Sequence, residues 1–114
     1  MLKGKMVRIR SRRYFPEQRL WVFIGKVVSM SENWVSIEGK GMVVLKGALG
    51  GQTRPVQIDK EIRPLLLPRD NIANIRILPD DFDVDNIELC SEGAKLGIKV
   101  KGAPDTWIGE IGEG

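Results

Sequence analysis

Three stretches of this chain are too long to be ordinary flat strands. Leu20–Met30, Trp34–Leu45 and Val56–Leu67 each alternate apolar and polar residues with a period of two and are rich in β-branched and aromatic side chains. At ~3.3 Å per residue each would extend roughly 36 to 40 Å, well beyond a typical strand. A small protein can hold such segments only if they bend. Gly25 lies midway in the first, Gly39 and Gly41 interrupt the second, and Pro64 interrupts the third, where a missing side chain or donor permits a kink or bulge. Two shorter runs, Lys5–Arg10 and Asn71–Leu78, complete a set of five. No stretch carries the i, i+3, i+4, i+7 spacing of a long amphipathic helix. The expected fold is all-β, a small and strongly bent five-stranded open barrel of the SH3-like or Sm-like type.

The connections suit antiparallel strands in sequential order. Ser29–Asn33 reads as a tight polar turn, Lys46–Pro55 as a Gly-rich loop and Pro68-Arg69-Asp70 as a very short corner. The longer connection from Ser11 to Gln18 carries Arg12, Arg13, Tyr14 and Phe15. The barrel is expected to occupy residues 1–79. Residues 80–114 form an acidic, Gly-rich extension in which Ile87–Leu89 and Leu96–Val100 make a hairpin around a Glu-Gly-Ala turn. Trp107, Ile108 and Ile111 are apolar anchors that would dock this extension on the barrel or on a neighbouring subunit.

With 114 residues, 42% apolar and 29% charged, the chain has the balance of one folded domain. Its longest uncharged apolar run, Leu20–Ile24, is far short of the ~20 residues that span a membrane. Histidine is absent, which removes the commonest general base and transition-metal ligand. Asp80, Asp81, Asp83 and Asp85 lie in a polar run that reads as a solvated turn and not as a catalytic pair. Cys90 is the single cysteine, so no intrachain disulfide forms. The expectation is a soluble, cytoplasmic binding protein that is not an enzyme and carries no metal or cofactor.

The net charge of +3 hides a marked asymmetry. Residues 1–26 carry eight cations, Arg8, Arg10, Arg12 and Arg13 among them, against Glu17 alone, whereas the chain is acidic from Asp80 onward. The basic segment is a candidate for phosphate contacts with nucleic acid, and equally for a solvated face or a partner of the acidic extension.

The run Gly25-Lys26-Val27-Val28-Ser29-Met30-Ser31-Glu32-Asn33-Trp34-Val35-Ser36-Ile37 resembles the first motif of the Sm and LSm family, Hfq-like proteins included. Ser31 takes that motif's acidic position, Trp34 its large apolar position and Val35 the usual asparagine position. Leu67-Pro68-Arg69-Asp70-Asn71-Ile72-Ala73-Asn74-Ile75 is similar to the second motif, with Pro68 at the arginine position and Arg69 at the glycine position. The corner must then turn by a different backbone path. The resemblance covers about residues 5–78. It implies a homo-oligomeric ring closed by edge-to-edge strand pairing, and single-stranded RNA held where the two motif corners meet. By family spacing, Ser31, Asn33, Trp34, Arg69, Asp70 and Asn71 are the pore residues. Trp34 would stack on a base; Arg69 and Asn71 would hydrogen-bond to it.

Other readings use the same residues. Trp34 also suits a core or interface position, and Arg69, Asp70 and Asn71 also suit a plain turn. Arg8-Ile9-Arg10-Ser11-Arg12 has the RxxxR form of PilZ domains, β-barrels that bind cyclic di-GMP, although Ser29–Trp34 follows their second motif poorly. A ligand-free oligomeric scaffold, joined through basic head and acidic tail, accounts for the charge asymmetry without RNA.

Overall fold

The computed structural model describes residues 2–12, 20–44, 56–92, 95–100 and 106–110. Among them the chain is all-β, apart from two single turns of 3-10 helix. Five consecutive elements are β1 (Met6–Ser11), β2 (Leu20–Met30), β3 (Trp34–Val44), β4 (Val56–Ile58) and β5 (Arg63–Pro68), followed after the turn Arg69–Asn71 by β6 (Ile72–Ile77). All pairings are antiparallel: β6 lies beside β1, β1 beside β2 and β2 beside β3. The far edge of β3 is shared, its first half by β5 and its last residues by β4. β5 and β6 are joined by one turn but do not pair, so the bent sheet stays open.

The bend sits where sequence spacing places it. Gly25 lies directly opposite Gly39 in the β2–β3 ladder. A Cβ built on Gly39 would run into the carbonyl oxygen of Ile24 and come within 2.6 Å of the Gly25 Cα; one on Gly25 would lie 2.7 Å from the Gly39 Cα. No side chain fits at either position, because the two backbones close on each other there. A register shift between Val27 and Ser29 adds further twist beyond the bend.

The stretch Val56–Leu67 is two strands and not one. The break falls at Asp59, not at Pro64. The Asp59 amide donates to the Gly41 carbonyl at 3.0 Å, and its Oδ2 accepts the Gly41 amide at 2.9 Å. Its Oδ1 meets the Arg63 Nη2 at 2.9 Å. One carboxylate thus holds the end of β4, the start of β5 and the middle of β3 together, and the chain turns over Lys60–Ile62. Pro64 stays inside β5, opposite Glu38, where a strand paired on one side only tolerates a missing donor.

Alternation gives the sheet two buried faces. Val7, Ile9, Val27, Val35 and Ile37 form the inner cluster, closed by Phe23, Leu65, Leu67, Ile72 and Ile75 from the sheet's own strands. Leu20, Val22, Ile24 and Met42 point the other way and are covered by Leu78, Val84, Ile98 and Val100. Of these, Leu78 follows β6, Val84 opens the 3-10 turn Val84–Asn86, and Ile98 ends the middle strand of a second sheet, β7 (Leu89–Glu92), β8 (Lys95–Ile98) and β9 (Thr106–Glu110), in the order β7-β8-β9, with Val100 just after it. The expected hairpin is therefore three-stranded. Its first strand begins at Leu89, because Ile87 ends the 3-10 turn Val84–Asn86, whose Asp83 side chain caps the Asp85 amide at 3.0 Å. Lys40 of β3 reaches Asp85 at 3.6 Å across this junction. Ile111 lies outside the described residues. Among the described residues no helix is long and apolar enough to cross a membrane.

Candidate nucleic-acid interface

The two motif corners are one unit. The β2–β3 turn closes on itself, the Ser31 amide donating to the Trp34 carbonyl at 2.8 Å and the Ser31 Oγ accepting the Trp34 amide at 3.1 Å. Trp34 opens β3 directly opposite Pro68, the last residue of β5. Pro68 is extended (φ −64°, ψ 132°), and the chain then passes through the 3-10 turn, the alternative path that a corner without glycine requires. Two bonds from Arg69 fasten this corner to the turn: its amide donates to the Asn33 carbonyl at 2.9 Å, and its Nη1 to the Ser31 carbonyl at 2.8 Å.

Ser31, Asn33, Trp34 and Arg69 are thereby gathered on one exposed ridge. Trp34 is 44% exposed, so part of its indole is open to solvent. The guanidinium of Arg69 spends one donor on the turn, and a guanidinium has five. Asp70 is exposed beside it. Asn71 belongs to the other side of the corner, where its carbonyl accepts the Arg12 amide at 2.6 Å.

On that other side the open end of the sheet leaves a pocket of about 340 Å³ floored by Ile9 and Leu67 and rimmed by Arg12, Pro68 and Asn71. Trp21 and Phe23 form its wall, stacked with centroids 6.0 Å apart and planes within 10°. Sequence reasoning did not single these two out. Their signal was there: two aromatic residues at i and i+2 of a strand share a face. The Arg12 Nη2 lies 3.4 Å from the Ile72 carbonyl and so borders the same pocket.

The four arginines proposed for a basic surface do not make one patch. Arg13 lies outside the described residues. Arg12 is exposed at the pocket rim, whereas Arg8 and Arg10 point to the opposite, outer face of the sheet, because Val7 and Ile9 take the inner one. Arg8 is not a surface residue, with 6% of its area exposed. Burial first, then the neighbouring charges of Arg76 and Arg10, pulls its guanidinium below the ordinary arginine range. The chain matches no known family model, no curated protein and no solved structure.

Proposed function

We propose that this chain is a cytoplasmic, non-catalytic, Sm-like protein that assembles into a homo-oligomer and binds single-stranded RNA at the ridge built from its two corners. The observation that carries the reading is the pair of Arg69 bonds to Ser31 and Asn33, which set an exposed Trp34 beside polar groups on a rigid support. Ser31, Asn33, Trp34 and Arg69 would serve one base, and Asn71 with Arg12 the next stretch of backbone.

Assembly is supported by the open edges. Among the described residues β5 and β6 each pair on one side only, and Leu66 (60% exposed) and Ile77 (57%) lie on them. Edge-to-edge pairing of β5 with a neighbour's β6 is a head-to-tail contact that closes by rotation. A ligand-free scaffold is the second reading, favoured by the same apolar edges. The cyclic di-GMP reading draws no such support, since Arg8 and Arg12 stand in different surroundings.

Binding of U-rich and A-rich single-stranded RNA to wild type and to Trp34→Ala across a salt series tests the proposal. Loss of one stacked base corresponds to roughly 5- to 150-fold weaker binding. Wild-type binding that does not weaken on Trp34→Ala rejects the ridge. No RNA binding by an oligomer of defined mass leaves the scaffold, and a monomer at micromolar concentration ends both.

A further inference from the structure

On the outer face a row of residues crosses four strands. Arg76 of β6 stands opposite Arg8 of β1, Arg8 opposite Ile24 of β2, and Ile24 opposite Lys40 of β3. Directly opposite side chains lie about 5 Å apart at Cβ, so Arg8 and Arg76 are neighbours. Arg10 follows on the same face of β1, two residues along. The two ends of the row are treated differently. Lys40 is answered by Asp85, whereas Arg8 is 6% exposed and its Nε is enclosed with no hydrogen-bond partner.

A guanidinium does not discharge at physiological pH, so the chain holds a buried charge with like charges near it, Arg76 across the ladder and Arg10 along the strand. An uncompensated buried ion costs several kcal/mol, and an apolar residue of the same volume would serve packing better. Such a cluster is unfavourable when empty and favourable when an anion fills it. Two guanidinium forks facing each other, those of Arg8 and Arg76, call for an anion with more than two oxygens. A carboxylate is satisfied by a single fork, while a phosphoryl group accepts several at once.

We infer that Arg8 and Arg76 form an oxyanion site on the outer face of β1 and β6 that takes a phosphoryl group, free or within a phosphodiester. The site lies on the face opposite the inner cluster and apart from the Ser31–Trp34 and Pro68–Asn71 corners. It stands whether or not the ridge binds RNA.

The test is the unfolding midpoint of the whole chain in millimolar sodium phosphate against sodium chloride of equal ionic strength, for wild type, Arg8→Met and Arg76→Ala. Phosphate raises the midpoint of any protein slightly by exclusion from its surface, so the increment that counts is the one the variants lose. Wild type is expected to gain about 4 °C or more in phosphate. Arg76→Ala, an exposed position, should keep its chloride midpoint and lose most of the gain. Arg8→Met should melt no lower than wild type in chloride and show no gain. If Arg8→Met fails to fold, Arg76→Ala decides alone. Equal wild-type midpoints in both salts, or a gain that survives in Arg76→Ala, overturns the site. A uridine hexanucleotide that competes with phosphate assigns the phosphodiester source; a phosphate gain untouched by it assigns the free ion.

Discussion

The two buried faces of the main sheet are built on different terms. The inner face is purely apolar and is closed by β5, β6 and the near ends of β1 to β3, so the sheet covers it by curling over. The outer face carries Arg8 and Lys40 among its aliphatic residues and is closed by Val84 of the 3-10 turn and by Ile98 and Val100 at and just beyond the end of β8. An apolar face needs only contact, whereas a face with charges in it needs partners placed by something else. Lys40 has such a partner in Asp85. The difference teaches that residues 80–100 are part of how the main sheet is completed, and that the outer face is where ion chemistry is to be sought.

The hinge common to both faces should give the largest effect. Gly39→Ala places a methyl group on the backbone of Ile24 and Gly25, and should cost about 3 kcal/mol or more by urea unfolding, with protection lost on both faces. A small cost would mean that the faces do not share this bend. Next, Ile98→Ala removes a fully buried contact of the outer cluster alone and should cost about 2 to 4 kcal/mol. Hydrogen exchange should then rise at Lys99, whose amide donates to the Glu88 carbonyl, before it rises at Val7, Ile9 and Val35. Equal acceleration at all four would merge the two clusters into one cooperative unit.

The smallest effect concerns the break between β4 and β5. The Gly41 amide, and after it Arg63 and Lys40, hold the Asp59 carboxyl below the ordinary carboxylate range. A carboxyl depressed on folding contributes stability above its unfolded value, near pH 4, and loses it as pH falls through the folded one. Asp59→Ala should therefore be less stable than wild type by about 1 to 2 kcal/mol at neutral pH. The gap should narrow in acid; a gap constant from pH 7 to pH 2 would assign the effect to packing.

Much of the fold is legible residue by residue. The span of β2, the start of β3 and the need for Gly25 and Gly39 all follow from alternation over too great a length. The corner between β5 and β6 follows from Pro68-Arg69-Asp70, whereas its meeting with the Ser31–Trp34 turn was only what the family resemblance implied. The division of Val56–Leu67 is less visible, because period-two patterning continues across Asp59 and the hydrogen bonds that stop the strand reach back to Gly41. The wall of Trp21 and Phe23 was visible as a shared face but not as a pocket, since the opposite side, Leu67 to Asn71, comes from far along the chain. β9 was missed because its pairing with β8 is a contact between segments, not a property of Thr106–Glu110 alone.

Local pattern determined β1 to β3, the hinge and the sidedness of those strands, because backbone sterics and side-chain alternation act within a few residues. Burial of a given charge was settled elsewhere. Arg8 reads as one more cation in a basic segment, and it becomes a buried one only when the sheet closes and brings Arg76 of β6 opposite it. That closure depends on residues separated by tens of positions, whose meeting no short-range rule encodes.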